Sequence, residues 1–373
     1  MKIAAENRMS RDQTRIYGSN RFKLGLFSQN CSGGLTQTKA AEYWNPSWEN
    51  NVTASKMAEQ AGLEFLLPVA RWTGYGGEVD AAGVNFETLT WATGTLAATE
   101  EITVFGTIHV SLVNPVFAAN QMVTADHVGR GRFGLNMVSG WNVGEHAMFG
   151  VNIREHDQRY AYTEEWLTIV ERMWSEDEPF DFEGVFFSLK GVKSEPKPFF
   201  GDRPILVSAG NSPVGRDFAL RRTDCVFMGT REIDLLVAEV SAMQAAAPTP
   251  RMYFGCGNLL CRATRKEAEE FYHYIVHENG DWDAVEEALA MRSKGGASSS
   301  QLPTHTKERM IFASGTYPFV GSYDDVVDEF RRMAEAGMDG VALGMVNYID
   351  DLPAVRDEVL PRLERLRLRQ PSN

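Results

Sequence analysis

Eight short runs of nearly unbroken apolar residues, each trailed by a stretch with helical spacing, dominate this 373-residue chain. They read FKLGLFS (22–28), FLLPVA (65–70), ITVFGT (102–107), RFGLNMV (132–138), ILVSA (205–209), CVFMG (225–229), MYFGCGNLL (252–260) and GVALGMV (340–346). Alternation would mark strands with one wet face. Continuous runs mark strands covered on both faces, as parallel strands are. Between them, Trp166, Ile169, Val170 and Met173 follow the i, i+3, i+4, i+7 spacing of a core-facing helix. Similar stripes run through 48–61, 86–98, 115–127, 233–244 and 323–336, the last opened by Ser322 with Asp325 three residues on.

Eight strand–helix alternations predict an α/β fold, a (β/α)8 barrel with insertion segments at the C-terminal face of its strands. A doubly wound open sheet is the alternative. It would be favoured by G-x-G-x-x-G after the first strand, where the chain instead reads SQNCSGGLTQ. The expected organisation is one barrel domain over 1–373, with a polar N-terminal arm at 1–21 and a mobile insertion at about 280–320, where SKGGASSSQLPTHT is rich in Gly and Ser.

Lys+Arg 37 against Asp+Glu 50 gives a net charge of −13, which argues against nucleic acid or an anionic membrane as the main partner. No apolar run approaches a bilayer span, and the N-terminal segment lacks the apolar core of a signal peptide. Cys31, Cys225, Cys256 and Cys261 are scattered and read as reduced core thiols, so a cytoplasmic protein is expected.

In a barrel the chemistry sits at the C-terminal ends of the strands. Those ends read Ser28-Gln29-Asn30, Ala70-Arg71-Trp72, Thr107-Ile108-His109, Asn136 through Trp141, and Ala209 through Pro213. They offer amides, hydroxyls and aromatics but no Ser/His/Asp order, no HExxH, no P-loop and no carboxylate pair. Such a site suits a cofactor that brings its own chemistry. In AGNSPVGRDFA (209–219), Ser212 is a good N-cap and Pro213 a good first helical residue, so the helix would aim free N–H groups at the mouth, a phosphate-sized anion site. On the local sequence alone an ordinary capped helix is the preferred reading. Arg159, beside Tyr160, can fork onto a phosphate, and a surface salt bridge with Glu164 or Glu165 is an equal alternative. His109, His127, His146 and His156 lack converging metal-ligand spacing, so no metal is expected. His109, just past the third strand, is kept as a substrate-pocket residue.

The segment RFGLNMVSGWNVGE, with RWTGYGG upstream and AGNS downstream, resembles the bacterial luciferase-like flavin monooxygenases. It looks most like the branch holding pyrimidine, dimethyl-sulfone and dibenzothiophene-sulfone monooxygenases. The resemblance runs from about 22 to 350. It implies a barrel that uses reduced FMN from a separate flavin reductase together with O2. Residue by residue, it implies flavin contacts from Ala70, Arg71, Asn136, Ser139, Glu145, Arg159, Tyr160 and Ser212. It further implies an oxygen pocket beside flavin N5 shaped by Thr107 and Asn136, a flavin-N5-peroxide as oxidant, and Trp141 walling the pocket. Ser139 stands where the pyrimidine enzymes carry Thr. Trp44, Trp48, Trp72, Tyr75 and His109 suggest an aromatic-lined pocket for a small, flat or apolar substrate such as a sulfone, cyclic amide or halogenated aromatic. A homo-oligomer, dimer or tetramer, is the expected assembly. The competing readings are a deazaflavin-dependent oxidoreductase and a non-catalytic flavin-binding luciferase relative.

Overall fold

A computed structural model describes residues 10–229, 232–294 and 303–371. Its strands in chain order are β1 (Lys23–Phe27), β2 (Phe65–Leu67), β3 (Thr103–His109), β4 (Phe133–Val138), β5 (Phe180–Glu183), β6 (Ser188–Val192), β7 (Ile205–Ser208), β8 (Cys225–Phe227), β9 (Met252–Arg262), β10 (Tyr317–Ser322) and β11 (Gly340–Met345). Eight of them pair in parallel in the order β1, β2, β3, β4, β7, β8, β9, β11, and β11 pairs back with β1. The sheet is therefore a closed (β/α)8 barrel, built from the eight apolar runs of the sequence.

The helices are α1 (Trp48–Gln60), α2 (Thr88–Ala98), α3 (Pro115–Val128), α4 (Val143–Met148), α5 (His156–Ser175), α6 (Pro213–Arg222), α7 (Ile233–Ala246), α8 (Arg265–His273), α9 (Trp282–Lys294), α10 (Thr304–Ala313), α11 (Tyr323–Glu335), α12 (Tyr348–Ala354) and α13 (Leu360–Arg365). Ser322 and Asp325 form a full capping box on α11. Among the described residues, no helix is long and apolar enough to cross a membrane. All four cysteines are buried thiols.

Three elements depart from the sequence expectation. Residues 180–192 form the antiparallel β5–β6 hairpin. Most of the stretch expected to be a mobile insertion is regular: α9, α10 and β10 occupy it, with β10 running beside the C-terminal half of β9. Residues 295–302 of that stretch lie outside the described residues. Of the polar N-terminal arm, residues 1–9 lie outside the described residues and the remainder is anchored. Arg11 donates to the carbonyls of Gly131 (3.1 Å) and Asp202 (2.9 Å) and faces Asp126 at 3.4 Å, while Ile16 is 1% exposed among Phe65, Phe105 and Phe254 inside the barrel.

Inward and outward residues alternate along each strand. Phe65, Phe105, Phe227 and Phe254 point inward and form an aromatic layer, with Phe65 and Phe254 edge to face at 5.1 Å. Two residues further along β3 the same inward face carries Thr107, then His109, and Thr107 lies opposite Asn136 in the β3–β4 register. The barrel is thus closed by Ile16 at its base, filled by aromatic rings and topped by polar groups. Ile16→Ala removes the base plug and leaves a cavity that rings cannot easily fill. It should cost about 2–5 kcal/mol in urea denaturation while leaving the circular dichroism of the native state unchanged.

Candidate active site

The polar layer begins with a chain of hydrogen bonds across two strands. Asn136 Nδ2 donates to Thr107 Oγ1 (3.2 Å), and Thr107 Oγ1 donates to the Pro68 carbonyl (2.6 Å). Thr88 Oγ1 donates to the Thr107 carbonyl and ties α2 to the same point. Both side chains are buried, and Asn136 Oδ1 is left without a protein partner. A buried acceptor so placed costs about 1–3 kcal/mol unless something meets it.

Beside this chain lies a buried ion pair. Arg71 Nε stands 3.2 Å from Glu145 Oε1, with both side chains at most 3% exposed. The same carboxylate oxygen accepts the backbone N–H of Trp72 (2.9 Å) and Thr73 (3.4 Å). The Arg71 guanidinium is stacked between Tyr75 (4.5 Å) and Trp141 (5.3 Å), donates to the Thr73 carbonyl, and keeps Nη1 without a partner. Tyr75 therefore faces Arg71, where the sequence had suggested a pocket wall.

Asn142 builds α4. Its side chain caps Gly144 (3.0 Å) and Glu145 (3.3 Å), and its carbonyl accepts from His146 Nδ1 at 2.8 Å. A carbonyl only accepts, so His146 carries a proton on Nδ1, and its Nε2 lies 2.7 Å from Ser111 Oγ. Gly140, at φ +94, lies over that ring; a Cβ there would meet His146 Cε1 at 2.6 Å. Sequence reasoning missed Asn142, Ser111 and His146 in this role. The signal was the Asn142–Glu145 spacing, a cap three residues ahead of an acid.

Two cavities flank the Thr107–Asn136 bridge. The first, about 360 Å³, is lined by Ser139, Gly140, Trp141, Arg159, Tyr160 and Ser212, among others. Ser212 Oγ accepts from Gly215 N (3.1 Å) and so caps α6, whose N-terminus faces the cavity. Gly210 has no room for a Cβ, which would meet the Gly215 backbone at 2.6 Å. Arg159 pairs with neither Glu164 nor Glu165: Nη1 donates to the Gly140 carbonyl (2.7 Å), and Nε is buried without a partner. Ser139 Oγ sits 3.1 Å from Thr163 Oγ1 on α5. The second cavity, about 430 Å³, opens between α2 and α3 and is lined by Ala70, Arg71, Trp72, Thr107 and His109, among others. Trp44 is not part of it. That indole is buried edge-on to Tyr348 at 4.9 Å and donates to the Gln29 carbonyl. Trp48 packs edge to face on Phe86, itself a lining residue, and over Gly94. Among the described residues, no three His, Cys, Asp or Glu side chains are grouped to hold a metal ion.

The sequence profile of the luciferase-like monooxygenases matches residues 22–340. The chain belongs to this family. As a luciferase-like monooxygenase it is an oxidoreductase. It is 27% identical over 362 residues to the FMNH(2)-dependent dimethylsulfone monooxygenase of Pseudomonas fluorescens (strain Pf0-1), covering 94% of this chain and 96% of the relative. It is 25% identical over 367 residues to the pyrimidine monooxygenase RutA of Variovorax paradoxus (strain S110), covering 91% and 94%. The crystal structure of riboflavin lyase (RcaE) with modified FMN and riboflavin shares the fold at a TM-score of 0.77 and 22% identity, covering 93% of this chain and 92% of that one.

His109 has a titration signature. Burial foremost, then His146 and Arg71, pushes its pKa down to about 4. Between an unfolded value of about 6.5 and that value, the unfolded chain takes up a proton that the folded chain declines. Stability attributable to His109 therefore falls as pH drops from about 6.5 to about 4, is level below, and is unaffected above. The full loss is at most about 3 kcal/mol, at about 1.4 kcal/mol per tenfold in proton affinity. His109→Gln should flatten that part of the acid limb in denaturation curves recorded across pH. An unchanged slope would show that His109 titrates normally.

Proposed function

We propose that this luciferase-like monooxygenase is the oxygenating component of a two-component system. It takes reduced FMN from a partner flavin reductase and, with O2, oxygenates and cleaves a small organic substrate. The FMNH(2) dependence named for the dimethylsulfone relative supports the cofactor assignment. The observation that carries the site reading is the buried Asn136 Oδ1 with no protein partner, on a side chain that donates to Thr107 of the aromatic-walled cavity.

The residues present fit a flavin mononucleotide. The α6 N-terminus, Ser212, Tyr160 and the free Nε of Arg159 suit one phosphate. Ala70, Arg71, Asn136, Ser139 and Glu145 would hold the ring system: Arg71 Nη1 as a donor, Asn136 Oδ1 as an acceptor, and Glu145 by fixing Arg71 and the backbone after β2. Bound reduced flavin supplies the electrons that activate oxygen. Thr107 and Asn136 would hold oxygen beside the flavin by hydrogen bonding and not by proton transfer, since neither titrates near neutral pH. Trp141, stacked on Arg71, walls the site against water.

Ser212→Ala and Arg159→Ala should each weaken equilibrium binding of reduced FMN by about 1–3 kcal/mol. Unchanged affinity in both would remove the phosphate assignment. Asn136→Leu keeps the volume and removes the polar atoms. It should abolish incorporation of labelled oxygen into product under a fixed supply of reduced FMN, while flavin still binds; Thr107→Val should slow turnover. Wild-type oxygenation by both variants would rule out this oxygen pocket and assign the chemistry to the flavin C4a position or to another part of the site. Oxygen uptake in the same assay separates a monooxygenase from a deazaflavin-dependent hydride-transfer enzyme and from a protein that only binds flavin.

A further inference from the structure

The chamber between α2 and α3 has walls that differ from those of the cavity at α6. Trp72, Phe86, Leu112, Phe117 and Phe149 supply most of its apolar surface, with Trp72 and Phe149 edge to face at 4.8 Å. Among its described lining residues only Arg71 and Glu87 carry full charge, and both are already engaged. Arg71 is paired with Glu145. Glu87 caps α2, its two carboxylate oxygens accepting from Leu89 N (3.0 Å) and Thr90 N (2.7 Å). An ion entering this chamber would give up its hydration to walls that hold no unspent opposite charge.

His109 forms the deep end. It is 6% exposed, and its Nδ1 is buried with no protein partner. Arg71 Nη1 is the other such lining atom, and the flavin reading already uses it. The ring stays neutral at neutral pH, because burial, His146 and Arg71 all disfavour its charged form. A neutral imidazole offers one donor and one acceptor nitrogen, so it can meet a carbonyl or sulfonyl oxygen with its N–H, or an N–H or O–H with its bare nitrogen. On β3 it stands two residues beyond Thr107 on the same inward face, next to where oxygen is proposed to be held.

Resting on the flavin reading above, we propose that this chamber takes an uncharged organic substrate with a ring or alkyl body, whose one hydrogen-bonding group is read by His109. His109 is a specificity-determining residue in this scheme. It selects polarity at one point, while the aromatic walls select an apolar body. Ionised substrates such as sulfonates and carboxylates are refused.

Matched probes that differ in charge test this on the full-length, FMN-loaded enzyme. Methyl phenyl sulfone is compared with benzenesulfonate, and benzamide with benzoate, by calorimetric titration. The neutral member of each pair should bind at least about tenfold tighter. His109→Leu should weaken the neutral probes by about tenfold or more, and His109→Gln should restore most of that, because it returns a donor and an acceptor at similar reach. FMN affinity should stay at the wild-type value in both variants, which a general loosening of the mouth would not allow. Equal or tighter binding of the anions, no millimolar binding of any neutral probe, or unchanged binding in His109→Leu would each overturn the proposal while leaving the flavin reading standing. Failure of the wild-type protein to bind FMN would strike down that reading, and this one with it.

Discussion

The pairing of Arg71 with Glu145 organises the whole mouth of the barrel. The two side chains come from a loop after β2 and from α4, and almost no water reaches either. A buried ion pair is not a cheap source of stability: its desolvation offsets much of its attraction, while loss of one partner leaves a charge stranded at a cost of about 3–5 kcal/mol. Its value here is positional. Glu145 fixes the backbone of Trp72 and Thr73, and Arg71 gathers Tyr75 and Trp141 onto its two faces. One charge pair therefore sets the wall of one chamber and the indole that borders the other.

The polar layer above depends on the apolar layer beneath it. The inward face of β3 changes from Phe105 to Thr107 within one strand repeat, and Asn136 meets Thr107 by register. Below that line the inward layer is aromatic and packs ring on ring. Above it, Asn136 Oδ1, Arg71 Nη1, His109 Nδ1 and Arg159 Nε are all buried polar atoms without protein partners. Folded proteins rarely leave such groups together, because each costs about 1–3 kcal/mol. Their concentration at the strand C-termini marks the place where the fold gives up stability for ligand binding.

Much of this was legible in the sequence, for a physical reason. Parallel strands buried on both faces leave continuous apolar runs: six of the eight barrel strands fall inside the runs read from the chain, and β3 and β9 overrun theirs by two residues at the C-terminal end. The capped start of α6 was legible too, because Ser212 and Pro213 act through local backbone chemistry. What escaped depends on distant contacts. The β5–β6 hairpin is largely solvent-facing and carries no apolar run. Ile16 lies among the polar residues of the stretch RDQTRIYGSN, and only the barrel base reveals its use. Trp44 and Tyr75 have the composition of pocket walls, but Tyr348 and Arg71 claim their faces. Arg159 had carboxylates within helical reach, yet Glu164 is taken by Arg222 and Glu165 by the backbone of Val185 and Phe186.

The geometry also separates two tasks that a single cavity would have to combine. The cavity at α6 is assembled from β4, β7, α5 and α6, while the aromatic chamber is assembled from β3, α2 and α3. Thr107 lines the aromatic chamber, and Asn136, which donates to it, directly precedes Met137 in the lining of the other cavity. Residues on α2 and α3 can therefore change without disturbing the backbone amides at α6. The bridge cannot change so freely, since Thr107 is tied at once to Pro68, Thr88 and Asn136. A barrel divided in this way can hold its cofactor end fixed while the chamber wall is rebuilt around a different substrate, with substrate choice and cofactor binding resting on separate sets of helices.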